Sequence, residues 1–185
     1  MARSAGASGA AAVTARDISA EQELARLCRR PRCPNYGLSL SCPPHVTGPE
    51  EFRRCLRGVE HAVLVKIELP DQALHEDDRR WLGRLVHEMV AGMEQRARER
   101  GYGRARAFAG GSCKNLFCHQ HAECRVLGQG GSCRNPGQAR PSLSGFGVNT
   151  LKLTKAAGWT RDERAQAARS GQSAPQSMYG LVLVG

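Results

Sequence analysis

The sequence predicts an α/β or α+β protein: a small mixed sheet with flanking helices and two cysteine-rich loops. Three observations carry this. A β-branched apolar run, HAVLVKIEL (61–69), precedes a long stretch of helical periodicity. The chain closes on a second strand-like run, MYGLVLVG. Eight cysteines fall in or near two segments that are rich in Gly, Pro and Asn and lack periodicity. With 185 residues, 41% hydrophobic and 24% charged, the chain can build a core of its own and does not need its thiols as cross-links.

Residues 1–16 are small and polar and read as a disordered leader, leaving 17–185 as a single cysteine-rich domain. The start has no leucine-rich stretch of the secretory kind, and no apolar run approaches the roughly eighteen residues of a membrane span. The expected location is the cytoplasm. DISAEQELARL (17–27) has a short helical pattern, with Asp17 or Ser19 available as its cap, and delivers the chain to Cys28. GPEEFRRCLRG suits a short helix opened by Pro49, with Glu50 and Glu51 in its first turn, where the helix dipole favours negative charge. HAVLVKIEL then reads as a buried strand ended by Pro70 and Asp71.

From about 75 to 100, Trp81, Leu82, Leu85, Val86, Met89, Val90 and Met93 recur at helical spacing, with arginines and glutamates on the other face. EDD (76–78) is its acidic first turn and Gly101 its end. ARAFAG (105–110) is a second strand, so strand, helix and strand form a candidate parallel crossover running straight into GGSC. Ligands in α/β sheets collect beyond the carboxyl ends of strands, which places the second cysteine group at a sheet edge. VNTLKLTKAAGW supplies a further helix, the polar stretch from about 160 to 177 a mobile connection, and MYGLVLVG the last strand.

A formal charge of +10 raises the question of a polyanionic partner. Of the 27 basic residues 23 are arginines scattered along the chain, and aromatics make up only 5% of it. That is poor material for stacking on bases, so nucleic acid is not the expected partner.

Cys28, Cys33 and Cys42 are separated by four and eight residues, with Cys55 twelve further on. Cys113, Cys118, Cys124 and Cys133 are separated by four, five and eight. In a reducing compartment eight thiols point to metal or cluster ligation rather than to four disulfides. Zinc knuckles usually pair cysteines two to four residues apart, twice, around one tetrahedral ion, and this chain has no CxxC. Irregular, wider spacing favours an iron–sulfur cluster, whose corners lie further apart, with zinc as the alternative.

Cys55 sits on an expected helix and reads as a small packing residue rather than a fourth ligand. The first group then supplies three thiolates. A [4Fe–4S] cluster on three cysteines leaves one iron open to another ligand, whereas four thiolates favour plain electron transfer. His119 and His121 flank Cys118 but read as exposed loop residues, and a Rieske-type centre needs two such neighbourhoods where only one is present. His45 and His61 likewise read as structural or solvent-facing. Tyr36, Gly37, Pro43 and Pro44 shape the first loop, Gly37 supplying the positive φ of a sharp turn. Arg140 offers hydrogen bonds to cluster sulfur or an anionic ligand, or else stands in a surface ion pair. No GxGxxG, Walker loop, HExxH or GxSxG is present.

CRRPRCPNYGLSLSCPPHVTGPEEFRRCL, HAVLVKIEL and GGSC...CRNPGQARPSLSGFGVNTLKLTKAAGW together resemble a family of cysteine-rich proteins labelled predicted metal-binding proteins, a domain of unknown function. The resemblance spans about residues 26 to 159 and is most specific in PxCxNYG...CPP and CRNPxxARPS. By position it implies metal-binding roles for Cys28, Cys33 and Cys42, and for Cys113 and Cys133. Cys118 and Cys124 stand further apart than that family's inner pair, and Cys55 lies outside the motif.

The expectation is one or two [4Fe–4S] clusters on Cys28, Cys33, Cys42, Cys113, Cys118, Cys124 and Cys133, in a redox or electron-transfer protein assisting a biosynthetic enzyme. Its basic surface suits an acidic protein redox partner. Two alternatives stand beside it: an enzyme with an open iron on a three-cysteine cluster, and a zinc-binding interaction module.

Overall fold

The computed structural model describes residues 6–69, 76–159 and 176–185. Strands β1 (Gly9–Thr14), β2 (His61–Leu69), β3 (Arg106–Ala109) and β4 (Gln176–Val184) form one sheet in the order β1-β2-β4-β3. Around it lie α1 (Gln22–Arg26), α2 (Pro49–Leu56), α3 (Glu76–Glu99), α4 (Cys113–Phe117), α5 (Arg125–Gln129) and α6 (Thr150–Ala156). The mixed helix-and-strand architecture is the one expected. Every ladder is antiparallel, and β4 runs between β2 and β3 against both. The β2–α3–β3 crossover therefore joins parallel strands that are not neighbours. β4 takes the central place because its residues 180–183 are buried whichever face they point to, as a strand covered on both sides requires.

Residues 9–14 correct the expectation of a disordered leader. GAAAVT pairs along β2 from Gly9 opposite Lys66 to Thr14 opposite His61. Its small side chains leave room for their neighbours: a Cβ on Gly9 would lie 2.9 Å from Lys66 Cε and 3.0 Å from Trp159 Cζ2. Ladder bonds and available space hold this edge strand, and neither is visible in composition. Asp17 does not cap α1. Its carboxylate instead accepts from Thr14 N and Oγ1 in a single 3-10 turn, and α1 begins at Gln22 with Glu21 as its cap residue.

Alternation along the strands makes two cores. Ala62, Leu64, Phe108, Leu181 and Leu183 face one that also contains Phe52 of α2, Leu153 of α6, and the loop residues Leu143 and Phe146. Its centre is a triangle of Phe52, Phe108 and Phe146, with ring centroids 4.9 to 5.7 Å apart. On the other face Val65, Ile67, Ala107, Ala109 and Val182 meet Val86, Met89 and Val90 of α3. The stripe of α3 departs from its apolar pattern: Trp81 is exposed, whereas His87 and Glu94 are buried in line with Gly83, Val86 and Val90.

Among the described residues no helix is long and apolar enough to cross a membrane. Pro70 and Asp71, and the part of the expected connection from 160 to 175, lie outside the described residues, while 176 and 177 open β4.

α3 packs tightly on β4 at Gly180, where a Cβ would lie 2.4 Å from Val90 Cγ1. Gly180→Val should lower stability by about 1–3 kcal/mol through overpacking, read as a lower urea midpoint at unchanged slope.

Candidate metal centre

Two loops, 27–48 between α1 and α2 and 110–149 between β3 and α6, carry seven of the eight cysteines. They are stitched to the sheet and to each other by backbone bonds. Ala109 N donates to Pro141 O at 3.0 Å and Leu143 N to Ala109 O at 3.1 Å, so 141–143 runs beside the end of β3. Ser142 N donates in turn to Ser41 O at 2.9 Å, laying the first loop against that segment. Further along, Glu21 N donates to Gly147 O and Asn149 N to Ser19 O. Gly147 has φ +71°, and a Cβ there would lie 2.2 Å from Glu21 O, so only glycine fits. The Glu21 carboxylate accepts from Lys152 Nζ at 2.8 Å and Asn149 Nδ2 at 2.9 Å, and these bonds hold its pKa down to about 2.

In the first loop Cys33 N donates to Cys28 O, and Gly37, at φ +81°, closes the turn by donating to Pro43 O at 2.8 Å. Cys28, Cys33 and Cys42 line a cavity of about 110 Å³ together with Tyr36 and Ser112. Burial pushes the Cys28 thiol up, and the neighbouring Cys33 and Cys42 push it further. Three ionised thiols here repel one another, and a cation relieves that repulsion. Ser112 has a buried hydroxyl with no hydrogen-bond partner, a spare donor on the same cavity.

The second group is braced by α3. Leu116 of α4 packs where Gly83 has no side chain, Arg84 Nε donates to Leu116 O, and Phe117 meets the His87 ring edge-on at 5.6 Å. This fixes α4 with Cys113 at its start and Cys118 just past its end. Cys113, Cys118, Cys124 and Cys133 line one narrow cleft, so the wide spacing of Cys118 and Cys124 does not separate them from the outer pair. Asn135 donates through its backbone N to Cys133 Sγ and through Nδ2 to Cys118 Sγ, both at 3.4 Å.

The two groups adjoin at Ser41. Its hydroxyl lies 3.1 Å from Cys113 Sγ, 3.9 Å from Cys42 Sγ and 3.1 Å from Ser39 Oγ. Burial raises the Cys113 pKa, Ser41 and Ser39 partly offset this by donating to the sulfur, and Cys42 and Cys133 add to the rise.

Cys55 stands apart from both groups. It packs against the Phe52 core, with its Sγ 2.9 Å from Arg106 Nη1, as a packing residue should. His45, His61, His119 and His121 are exposed, and of these only His45 borders a cysteine-lined cavity. Arg140 corrects both of its expectations. It neither donates to sulfur nor stands in a surface pair: its Nη2 lies 2.8 Å from Glu94 Oε2 in an ion pair with side chains only 13% and 7% exposed. Glu94 Oε1 accepts from Ala107 N at 2.9 Å, so this carboxylate ties the second loop to both α3 and β3. His87 completes the anchor, its Nδ1 accepting from Arg140 N at 3.1 Å. Sequence reasoning missed His87 and Glu94, although two polar residues on an apolar stripe were the available signal.

No three His, Cys, Asp or Glu side chains among the described residues converge as they would around a single metal ion. The thiols instead line hollows; Cys42 is buried and the other six are half-buried, and Ser41 and Asn135 donate to sulfurs among them. Thiol sulfur is a soft donor that suits a thiophilic metal, and the sulfurs available for one are Cys28, Cys33 and Cys42 on one side and Cys113, Cys118, Cys124 and Cys133 on the other.

A four-stranded sheet with two adjoining thiol loops beside one edge strand defines a cysteine-rich, metal-binding type of α/β protein. Residues 11–184 match the family described as predicted metal-binding proteins (DUF2284), and the chain belongs to it. No curated protein and no solved structure matches the chain.

His87 gives the anchor a pH dependence. Its Nε2 has no partner of good geometry, and burial pushes its pKa down to about 4. The nearby Gly110 carbonyl partly offsets this, Arg140 adds to it, and the Gln138 carbonyl again opposes it. A histidine whose folded pKa lies below its unfolded value of about 6.5 contributes stability in full above that value and loses it as pH falls towards 4. Unfolding of the wild type should lose about 2 kcal/mol from this source between pH 6.5 and 5, and His87→Leu should flatten that slope in urea titrations.

Proposed function

We propose that the two thiol groups each hold an iron–sulfur cluster of the [4Fe–4S] type and that the protein passes electrons to a biosynthetic enzyme. The observation that carries this reading is Ser41, whose hydroxyl lies within 4 Å of a sulfur from each group. Two centres so close make a short path for electrons, which a pair of purely structural sites would not need. The clusters, when bound, supply one-electron chemistry. The chain's own residues supply the rest: Ser41 and Asn135 donate to sulfur, and the unpartnered Ser112 hydroxyl is a spare donor on the first cavity; such bonds favour the more negative, reduced state of a centre.

The electrostatics suit an acidic redox partner. Residues 26–49 contain Arg26, Arg29, Arg30 and Arg32, all exposed, and no Asp or Glu. A second reading, an enzyme with an open iron, is favoured by the place of Cys55. With that thiol on the Phe52 core, the first group has three sulfurs and one corner for a different ligand.

Anaerobically purified protein should be brown, with iron and acid-labile sulfide in nearly equal amounts, about four of each per site. Cys42→Ser should lose about half of the iron, while Cys55→Ser should keep all of it. Colourless protein with stoichiometric zinc overturns the reading.

A further inference from the structure

The two thiol groups differ in the space beside them. Cys28, Cys33 and Cys42 line a cavity of about 110 Å³. Cys113, Cys124 and Cys133 also wall a second hollow of about 340 Å³, some three times larger and within the range of small-molecule sites. If both groups hold the same kind of centre, the second has room for something more. Val46, Val126, Pro141 and Phe146 give that hollow apolar walls, and His45, Glu51 and Arg106 put charge and hydrogen-bonding capacity on it.

Arg106 is the more exposed of the two arginines on this wall, and its bonds are weak. Its Nη1 donates to the Cys55 thiol, a weak acceptor, and its Nη2 reaches Glu51 Oε1 only at 3.5 Å. Glu51 is itself engaged by the Thr47 hydroxyl and backbone N, bonds that hold its pKa down, so it remains an anion but a poor match for the guanidinium fork. The fork is partly exposed and keeps donors for a planar, two-oxygen partner. Arg140, also on the wall, is largely buried: its Nη2 pairs with Glu94 and its Nη1 donates to the Pro136 and Ala139 carbonyls, and only its buried Nε lacks a partner.

We infer that this cavity binds a small organic acid, its carboxylate on Arg106 and its hydrocarbon body along Val46 and Phe146, beside the second thiol group. The inference deepens the proposed function by naming a ligand class for the site. Binding itself does not require a cluster, so the two can fail separately.

The test is calorimetric titration of the full chain, isolated anaerobically with its metal content measured on the same sample, using benzoate, benzamide and inorganic phosphate. Benzoate should bind one to one, at least tenfold more tightly than either of the others. Arg106→Met should weaken benzoate at least tenfold, and Glu51→Gln, which removes the opposing charge, should tighten it several-fold. Should Arg106→Met fail to fold, Leu40→Trp at the exposed rim gives a second readout, its emission shifting on benzoate addition and not on benzamide addition. No saturable benzoate binding by either readout, equal affinity for benzamide or phosphate, or indifference to both charge changes overturns the inference. Iron present without benzoate binding leaves the cluster reading standing alone. Benzoate binding to iron-free protein leaves the cavity standing alone.

Discussion

The hydrogen bond from Ser142 N to Ser41 O, 2.9 Å long, is where the cysteine-bearing half of the molecule is joined together. On one side of it 141–143 is bonded to the end of β3, and on the other the first loop begins its turn towards Cys42. That bond holds the Ser41 backbone beside 141–143, and the Ser41 hydroxyl lies between Cys113 and Cys42. Both thiol groups therefore take their relative position from the sheet. A loop of nearly forty residues with no long element could not hold four sulfurs in place by itself. It does so here because its two ends and its middle are each bonded to something rigid.

The rigid body on the far side is α3. Glu94, Arg140 and His87 form a polar anchor under an otherwise apolar helix, and each has a partner that places the second loop. Such a pair adds little net stability compared with an apolar replacement, but removing one partner leaves the other charged and buried. Its use in this fold is positional: it sets where the segment of residues 139–143 leaves α3 and meets β3. Burial, with the repulsion of neighbouring thiols, raises the pKa of Cys28 and Cys113, and a bound cation would offset that rise.

The elements with strong periodicity were legible from the chain alone. β2, α3, β4 and α6 occupy the segments their patterns predict, and Pro49 opens α2. β1 was not legible, because Gly and Ala carry no strand signal and gain their place only from the β2 ladder and the packing of Lys66 and Trp159. The cysteines could be sorted into two groups by spacing, and each group lines a hollow in the structure. What spacing could not contain is that the groups touch, since contact between residues 41 and 113 depends on how 141–143 docks on β3. The partner of Arg140 was hidden for the same reason: Glu94 lies 46 positions earlier in the chain, on a face assumed to be apolar.

The central claim is that two multinuclear centres lie side by side across Ser41. Low-temperature electron paramagnetic resonance of the dithionite-reduced, anaerobically purified protein tests it most directly. Two reduced clusters in contact should give a spectrum broadened and split by spin–spin coupling, which collapses to one simple signal in Cys42→Ser. An uncoupled spectrum in the wild type, or none from a protein holding only zinc, would contradict the account.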